Sequence, residues 1–194
     1  MPASLVAHSE QIVPPESEPV RRSAEGLGIP HGSEAEVRRW CRELAQERGA
    51  GLIEAHGIGP SARLIYKRLQ MPVYVYTGMF ITDVQGCTLV WTIVAGEHGT
   101  TGVREAMVTA NLINAGKLTL VGYRRLWARD PYEPDYQGVD RSVLRFMSDD
   151  EGYDGQFPHH PLSKVRRVLA ALPGVAQYGD NVEVLWPRNF EGAL

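Results

Sequence analysis

The most regular two-residue period of side chains along the chain lies between residues 72 and 95. From Val73 to Ile81, non-aromatic side chains (Val73, Val75, Thr77, Met79 and Ile81) occupy every second position and aromatic residues stand between most of them, a period typical of a β-strand. Residues 83–86 supply turn chemistry, and apolar side chains then return at every second position from Leu89 to Ile93. Because both faces of this hairpin are apolar, we expect it at the centre of an antiparallel sheet that is covered on both sides.

Apolar positions spaced three and four residues apart predict three helices. The first spans residues 33–48, begins with a capping box of Ser33 and Glu36, and ends at Gly49. The second spans about 102–115 with a threonine cap at position 100 or 101, and the third begins at Pro161. The stripes expected to be buried are, in chain order, Val37, Trp40, Cys41 and Leu44; Val103, Ala106, Met107, Ala110 and Ile113; and Leu162, Val165, Leu169 and Leu172.

The remaining segments complete the expected order of elements. Residues 51–60 hold three glycines and a proline, so a loop is predicted there. Strands are predicted over 62–69, 118–127 and 181–186, and Ser148 with Glu151 forms a second predicted capping box. Consecutive strands joined by tight turns, with helices packed on the faces of the sheet, define an α+β fold.

Composition divides the chain at residue 32. Residues 1–32 are rich in proline, glutamate and glycine, which predicts a flexible leader, and residues 33–194 are expected to form a single α+β domain. No apolar run reaches the about 18 residues of a membrane span, so no membrane partner is expected. The net charge of −3 argues against a nucleic-acid partner.

The two cysteines, Cys41 and Cys87, have no second thiol at metal-ligand spacing. Free buried thiols are typical of a reducing compartment, and we therefore expect a cytoplasmic protein.

An acidic run lies close to two histidines near the third helix. Its members are Asp149, Asp150, Glu151, Asp154, His159 and His160. Carboxylate oxygens and imidazole nitrogens bind divalent metals, but this spacing matches neither the calcium-loop nor the zinc patterns. The sequence therefore predicts no metal site and no cofactor.

The loop of residues 96–102 joins the hairpin to the second helix and contains Glu97, His98 and Thr100. The tripeptide His98-Gly99-Thr100 resembles the His-Gly-Thr strand motif of ADP-ribosyltransferases. That resemblance implies a histidine on the ribose of a nicotinamide nucleotide and a late glutamate, for which Glu183 is the candidate. It supports an alternative prediction, a small enzyme that acts on a nucleotide-type ligand.

The main functional prediction rests on the segment from Asp130 to His160, which has no sustained periodicity. Its prolines restrict the chain, and its aromatic side chains suit a binding surface. No nucleophile elbow, phosphate loop or metalloprotease motif accompanies them. We therefore predict a non-enzymatic domain of the chaperone, adaptor or immunity type that binds a protein partner through Tyr132, Tyr136, Tyr153, Phe157, His159 and His160.

Overall fold

The computed structural model describes residues 11–12, 20–24, 28–30, 32–84 and 87–175. Their helices are α1 (Glu34–Glu47), α2 (Val103–Asn114), α3 (Leu120–Leu126) and α4 (Pro161–Val175). Their strands are β1 (Gln11–Ile12), β2 (Val20–Ala24), β3 (Gly51–Ile58), β4 (Ser61–Gln70), β5 (Val73–Val84), β6 (Cys87–Gly96), β7 (Ala128–Arg129) and β8 (Arg145–Phe146). Three short 3-10 helices span Arg141–Val143, Met147–Asp149 and Glu151–Tyr153.

Six strands form one antiparallel sheet in the order β1-β2-β6-β5-β4-β3. The hairpin of β5 and β6 lies inside it, with Phe80 opposite Trp91 and Val84 opposite Cys87. The predicted α+β fold and its central hairpin are therefore confirmed.

Helices cover both faces of the sheet, as the apolar hairpin predicts. On one face α1 packs Val37, Cys41 and Leu44 against a cluster that includes Leu64 and Ile81. On the other face α4 contacts a second cluster through Leu162, Val165, Leu169 and Leu172, with Ile65, Tyr76 and Trp91 opposite them. Neighbouring residues of one strand, such as Leu64 and Ile65, belong to different clusters because side chains alternate between the faces.

The local signals of α1 are confirmed. The Ser33 N–H donates to Glu36 Oε2 at 2.6 Å, and the Glu36 N–H donates to Ser33 Oγ at 3.3 Å, which completes the capping box. This arrangement satisfies two backbone donors at the start of the helix.

The prediction of a loop over residues 51–60 is wrong, because Gly51–Ile58 forms strand β3, paired with β4 along its length. Leu52, Ile53 and Ala55 are buried. Glycine at position 51 lets the strand pass against the backbone at Val143, where a side chain would collide with the Val143 carbonyl. Here glycine marks a close approach of two backbone segments and not a loop.

The predicted strand over residues 118–127 is also wrong. Leu120–Leu126 forms helix α3, and the Thr119 hydroxyl oxygen accepts the Gly122 N–H at 2.9 Å as its cap. This threonine cap outweighs the strand preference of the surrounding apolar run.

Helix α2 lies at the predicted position in the sequence, but the side that was predicted to be buried faces solvent. Its buried residues are Arg104, Val108 and Leu112, whereas Val103, Met107 and Ile113 are exposed. Met107 is 51% exposed, so its predicted burial is wrong. The cap also differs from the predicted threonine: it is Gly102, in left-handed backbone with φ of 71° and no side-chain hydrogen bond.

The second predicted capping box does not form. Ser148 is buried within the 3-10 helix Met147–Asp149, and Asp150 Oδ1 accepts the Gly152 N–H at 3.0 Å to begin the next turn.

The predicted strand over 181–186 lies outside the described residues. Of the predicted leader, the described residues 20–24 form β2, which pairs with β6.

Candidate functional site

Glu97 stands where the central strand β6 ends and the loop to α2 begins. Its Oε1 accepts the Gly102 N–H at 3.0 Å, so the carboxylate bridges its own loop and fixes the approach to the helix. The Glu97 side chain is only 7% exposed. The loop therefore directs its acid inward, toward the end of the sheet.

Two further side chains meet Glu97 at this point. Glu105 comes from the first turn of α2, and His160 directly precedes α4. A ligating atom of each of the three residues lies within 4.8 Å of the others. The His160 side chain is 7% exposed, and its Nε2 lies 3.6 Å from Glu97 Oε1, beyond hydrogen-bond length. Three elements that are distant in sequence thus join in one acid–imidazole cluster of Glu97, Glu105 and His160.

The two carboxyl groups of the acid–imidazole cluster have different electrostatic environments. Burial raises the pKa of Glu105, and the negative charges of Asp149 and Glu97 act in the same direction. Burial acts to raise the pKa of Glu97 as well, but the contact with His160 and the hydrogen bond from the Gly102 N–H outweigh it, so that pKa lies below its usual value. Paired acids with separated pKa values are a recurrent feature of functional sites.

A layer of buried charge supports the acid–imidazole cluster. Lys67 Nζ donates to Asp149 Oδ2 at 2.6 Å, and neither side chain is accessible to solvent. Asp149 Oδ2 also accepts the Phe146 N–H at 2.7 Å. Burial lowers the pKa of Lys67, while the facing Asp149 opposes that shift. The pair ties β4 to the turns that follow β8.

Arg104 of α2 anchors the same turns from the other side. Its Nε donates to the Ser148 carbonyl at 2.6 Å and its Nη2 to the Asp150 carbonyl at 2.9 Å. Its Nη1 lies 2.9 Å from Asp154 Oδ1. Arg104 therefore fixes which face of α2 points inward. Glu105 is the next residue of the helix, and this orientation places it in the acid–imidazole cluster.

Two hollows open beside the acid–imidazole cluster, and Glu97 lines both. One has a volume of about 320 Å³ and is also lined by His98, Thr100 and Phe157. The other has a volume of about 470 Å³, with Glu105 in its lining and walls that include Tyr74, Tyr123 and Trp127. The acid–imidazole cluster thus lies between a loop-lined hollow and an aromatic one.

Three residues of the predicted transferase site, Glu97, His98 and Thr100, line the smaller hollow together. His98 and Thr100 are exposed at the rim of the smaller hollow, in a loop and not on a strand. Glu183 lies outside the described residues. The nucleotide-enzyme alternative stays a prediction.

The aromatic residues of the predicted binding segment all have contacts within the chain. The Tyr132 hydroxyl donates to the Ala55 carbonyl at 2.9 Å, and the Tyr136 hydroxyl donates to Gln46 Oε1 at 2.7 Å. Tyr153 and Phe157 are half-buried against a third apolar cluster, which contains Val108, Leu112 and Trp127. His159 is exposed. Recognition of a partner by this segment stays a prediction.

Sequence reasoning missed Glu105 and Lys67 as members of the site, although it grouped Asp149 with His160 in one acidic run. Glu105 has the position of an ordinary acid at a helix start, and Lys67 occupies one position of an alternating strand. The nearest residues on the same face of the strand as Lys67 are the apolar Ile65 and Leu69. A lysine in such a position is a signal only when its acidic partner is known, and that partner lies 82 residues later.

A second feature is a set of exposed apolar side chains on α2 and α3. We call it the α2–α3 apolar face; its exposed side chains are Val103, Met107, Ile113, Val121 and Leu126. Val121 is 86% exposed. Glu105 of α2, its cap residue Gly102 and Tyr123 of α3 line the larger hollow together, so the two helices flank it.

No protein-family model matches this chain, and no curated protein sequence matches it either. Among the helices of the described residues, none has the length and apolar character that crossing a membrane requires.

Proposed function

We propose that this chain is an accessory domain of the chaperone, adaptor or immunity type that binds a protein partner through the α2–α3 apolar face. The observation that carries the proposal is the orientation of α2, which buries Arg104, Val108 and Leu112 and leaves the apolar side chains of Val103, Met107 and Ile113 exposed. An amphipathic helix normally turns its apolar stripe toward the core. Exposed apolar surface of this kind marks protein interaction sites.

The shape of this region suits an inserted side chain of a partner. The larger hollow opens between the two helices, and its walls are aromatic at Tyr74, Tyr123 and Trp127. Hot spots of binding energy form where an anchor side chain enters a pocket surrounded by apolar contacts. A partner helix or loop with one large apolar anchor matches these features.

The segment from Asp130 to His160 has a supporting role in this proposal. Its tyrosines connect to β3 and α1, while Phe146 and Arg141 belong to the wall of the larger hollow. The segment therefore shapes the recess, and the helices supply the exposed apolar area. A cytoplasmic location and a partner that is not a nucleic acid complete the proposal.

The test is co-purification with affinity-tagged full-length chain, followed by mass spectrometry. Met107→Glu and Val121→Glu each place a charge in the α2–α3 apolar face, so each is expected to reduce capture of a partner at least tenfold. Ile58→Glu is the matched control, because Ile58 is an apolar residue with 44% exposure in a different part of the fold. Each variant is also compared with wild type by thermal melting.

The control is expected to capture the same protein as wild type, and all three variants are expected to melt within about 2 °C of it, since exposed substitutions change stability little. Equal capture by wild type and by both helix variants would refute binding through this face.

A further inference from the structure

We propose that Glu97, Glu105 and His160 form a binding site for one divalent transition-metal ion. This inference is independent of the proposed protein binding and differs from the sequence-based prediction, which finds no metal site. The three residues come from the end of β6, the first turn of α2 and the residue before α4. Their ligating atoms lie within 4.8 Å of one another.

The atoms without partners identify the site. Both carboxylate oxygens of Glu105 and Nε2 of His160 are buried, and none of these three atoms has a hydrogen-bond partner among the described residues. The His160 side chain is more than nine-tenths buried, and its Nε2 faces Glu97. Buried polar atoms are otherwise almost always satisfied, since leaving one unpaired costs about 1–3 kcal/mol. Here the partnerless atoms of two side chains converge with Glu97.

The balance of charge around the site also favours a bound cation. Among the described residues, Lys67 pairs with Asp149, Arg104 with Asp154, and Arg166 with Glu54. Neither Glu97 nor Glu105 forms a salt bridge with lysine or arginine among the described residues, and the one basic side chain near Glu97 there is that of His160, at 3.6 Å. Two neighbouring carboxylates in a buried setting repel each other unless a positive charge lies between them.

The donor set indicates the class of metal. Two carboxylates and one imidazole suit manganese, iron, cobalt or zinc, whereas calcium and magnesium select oxygen ligands. Three protein ligands leave coordination positions free, as catalytic zinc sites do. Glu97 lines both hollows, so a water or a small ligand has a route to those free positions.

His160 sets a chemical condition for binding. The Leu162 N–H donates to its Nδ1 at 3.2 Å, which places the proton of the neutral ring on Nε2. Coordination through Nε2 moves that proton to Nδ1, and the Leu162 N–H then loses its acceptor. Metal binding is therefore expected to change the environment of the Leu162 amide at the start of α4.

The experiment is a calorimetric titration of chelator-treated, full-length protein with ZnCl2 and, separately, MnCl2. Wild type is expected to bind one ion per chain. Glu105→Gln and His160→Gln keep the side-chain size but remove a ligand, and each is expected to weaken binding at least 10- to 100-fold, since even indirect partners of metal ligands have effects of this size. His159→Gln is the matched control, because His159 is exposed and adjacent in sequence. It is expected to bind as wild type does.

Two further measurements keep the outcome decisive. Circular dichroism of the metal-free variants establishes that they are folded, and the amide resonance of Leu162 is followed during titration of wild type. A shift of that resonance that saturates at one equivalent supports the site even if one variant fails to fold. The proposal is overturned if no stoichiometric binding is found, or if wild type and both ligand variants bind with equal affinity. In that case a proton on Glu105 balances the buried charge.

Discussion

Cys41 lies on the face of α1 that packs against the sheet, and its side chain is fully buried. Burial raises the pKa of its thiol to about 12, with the charge of Glu34 acting in the same direction. The group therefore stays protonated throughout the neutral range, and deprotonation becomes significant only near that raised value. Since the thiolate is the nucleophile, this cysteine is chemically inert in the folded state.

Alkylation tests this property in a Cys87→Ser variant, which leaves Cys41 as the single thiol. At pH 8, iodoacetamide is expected to modify folded protein more than about 100-fold more slowly than protein unfolded in urea, where the pKa returns to about 8.5. Mass spectrometry follows the added mass. Rapid modification of folded protein, at a rate near that in urea, would show that α1 does not bury this residue.

Single residues were predictable where their partners are close in sequence. Ser33 and Glu36 are three positions apart, and the capping box follows from that spacing alone. Glu105 and His160 are 55 positions apart, and only the packing of α2 beside the start of α4 brings them together. The sequence could therefore predict that Glu97 and the loop after β6 belong to the candidate site. It could not predict Glu105, the second acid, because only the tertiary structure brings that residue to the site.

At the level of elements, prediction succeeded where an apolar pattern had one interpretation. The β5–β6 hairpin and α4 have regular periods, and both are buried as expected. Strand β3 was obscured by its glycines, of which Gly51 serves a close backbone approach, and α3 was obscured by an apolar run that also suits a strand. For α2 the period was correct, but the apolar stripe faces outward because Arg104 satisfies buried carbonyls on the opposite side.

The packing of α4 on the sheet makes a prediction about one strand glycine. A side chain at Gly78 of β5 would place its Cβ 2.5 Å from Val165 Cγ1 and 2.7 Å from Leu169 Cδ1. Gly78→Ala is therefore expected to lower the free energy of unfolding by about 1–3 kcal/mol through overpacking. Urea denaturation measures the change.

Gly96→Ala in β6 is the control for this substitution. The nearest atom to its added Cβ is Val75 Cγ2, at an ordinary contact distance of 3.8 Å, so a change within about 0.5 kcal/mol is expected. Equal effects of the two substitutions would mean that α4 does not lie on β5 at Gly78.

At the scale of the whole molecule, the two proposals use opposite sides of one helix. The outward side of α2 contributes Val103 and Met107 to the α2–α3 apolar face. Its inward side places Arg104 in the buried charge layer and Glu105 beside His160. A rotation of α2 about its axis by half a turn would abolish both sites at once. The orientation of this helix is thus the claim on which the functional interpretation depends.

Urea denaturation of Met107→Ala and Leu112→Ala tests that orientation most directly. Met107 is 51% exposed and Leu112 is 8% exposed on the same helix. Leu112→Ala is expected to lower the free energy of unfolding by about 2–5 kcal/mol, because it leaves a cavity beside Trp127 and Val108. Met107→Ala is expected to change it by about 0.5 kcal/mol or less. The reverse result, a large loss at Met107 and almost none at Leu112, would contradict the orientation of α2 and both proposed sites with it.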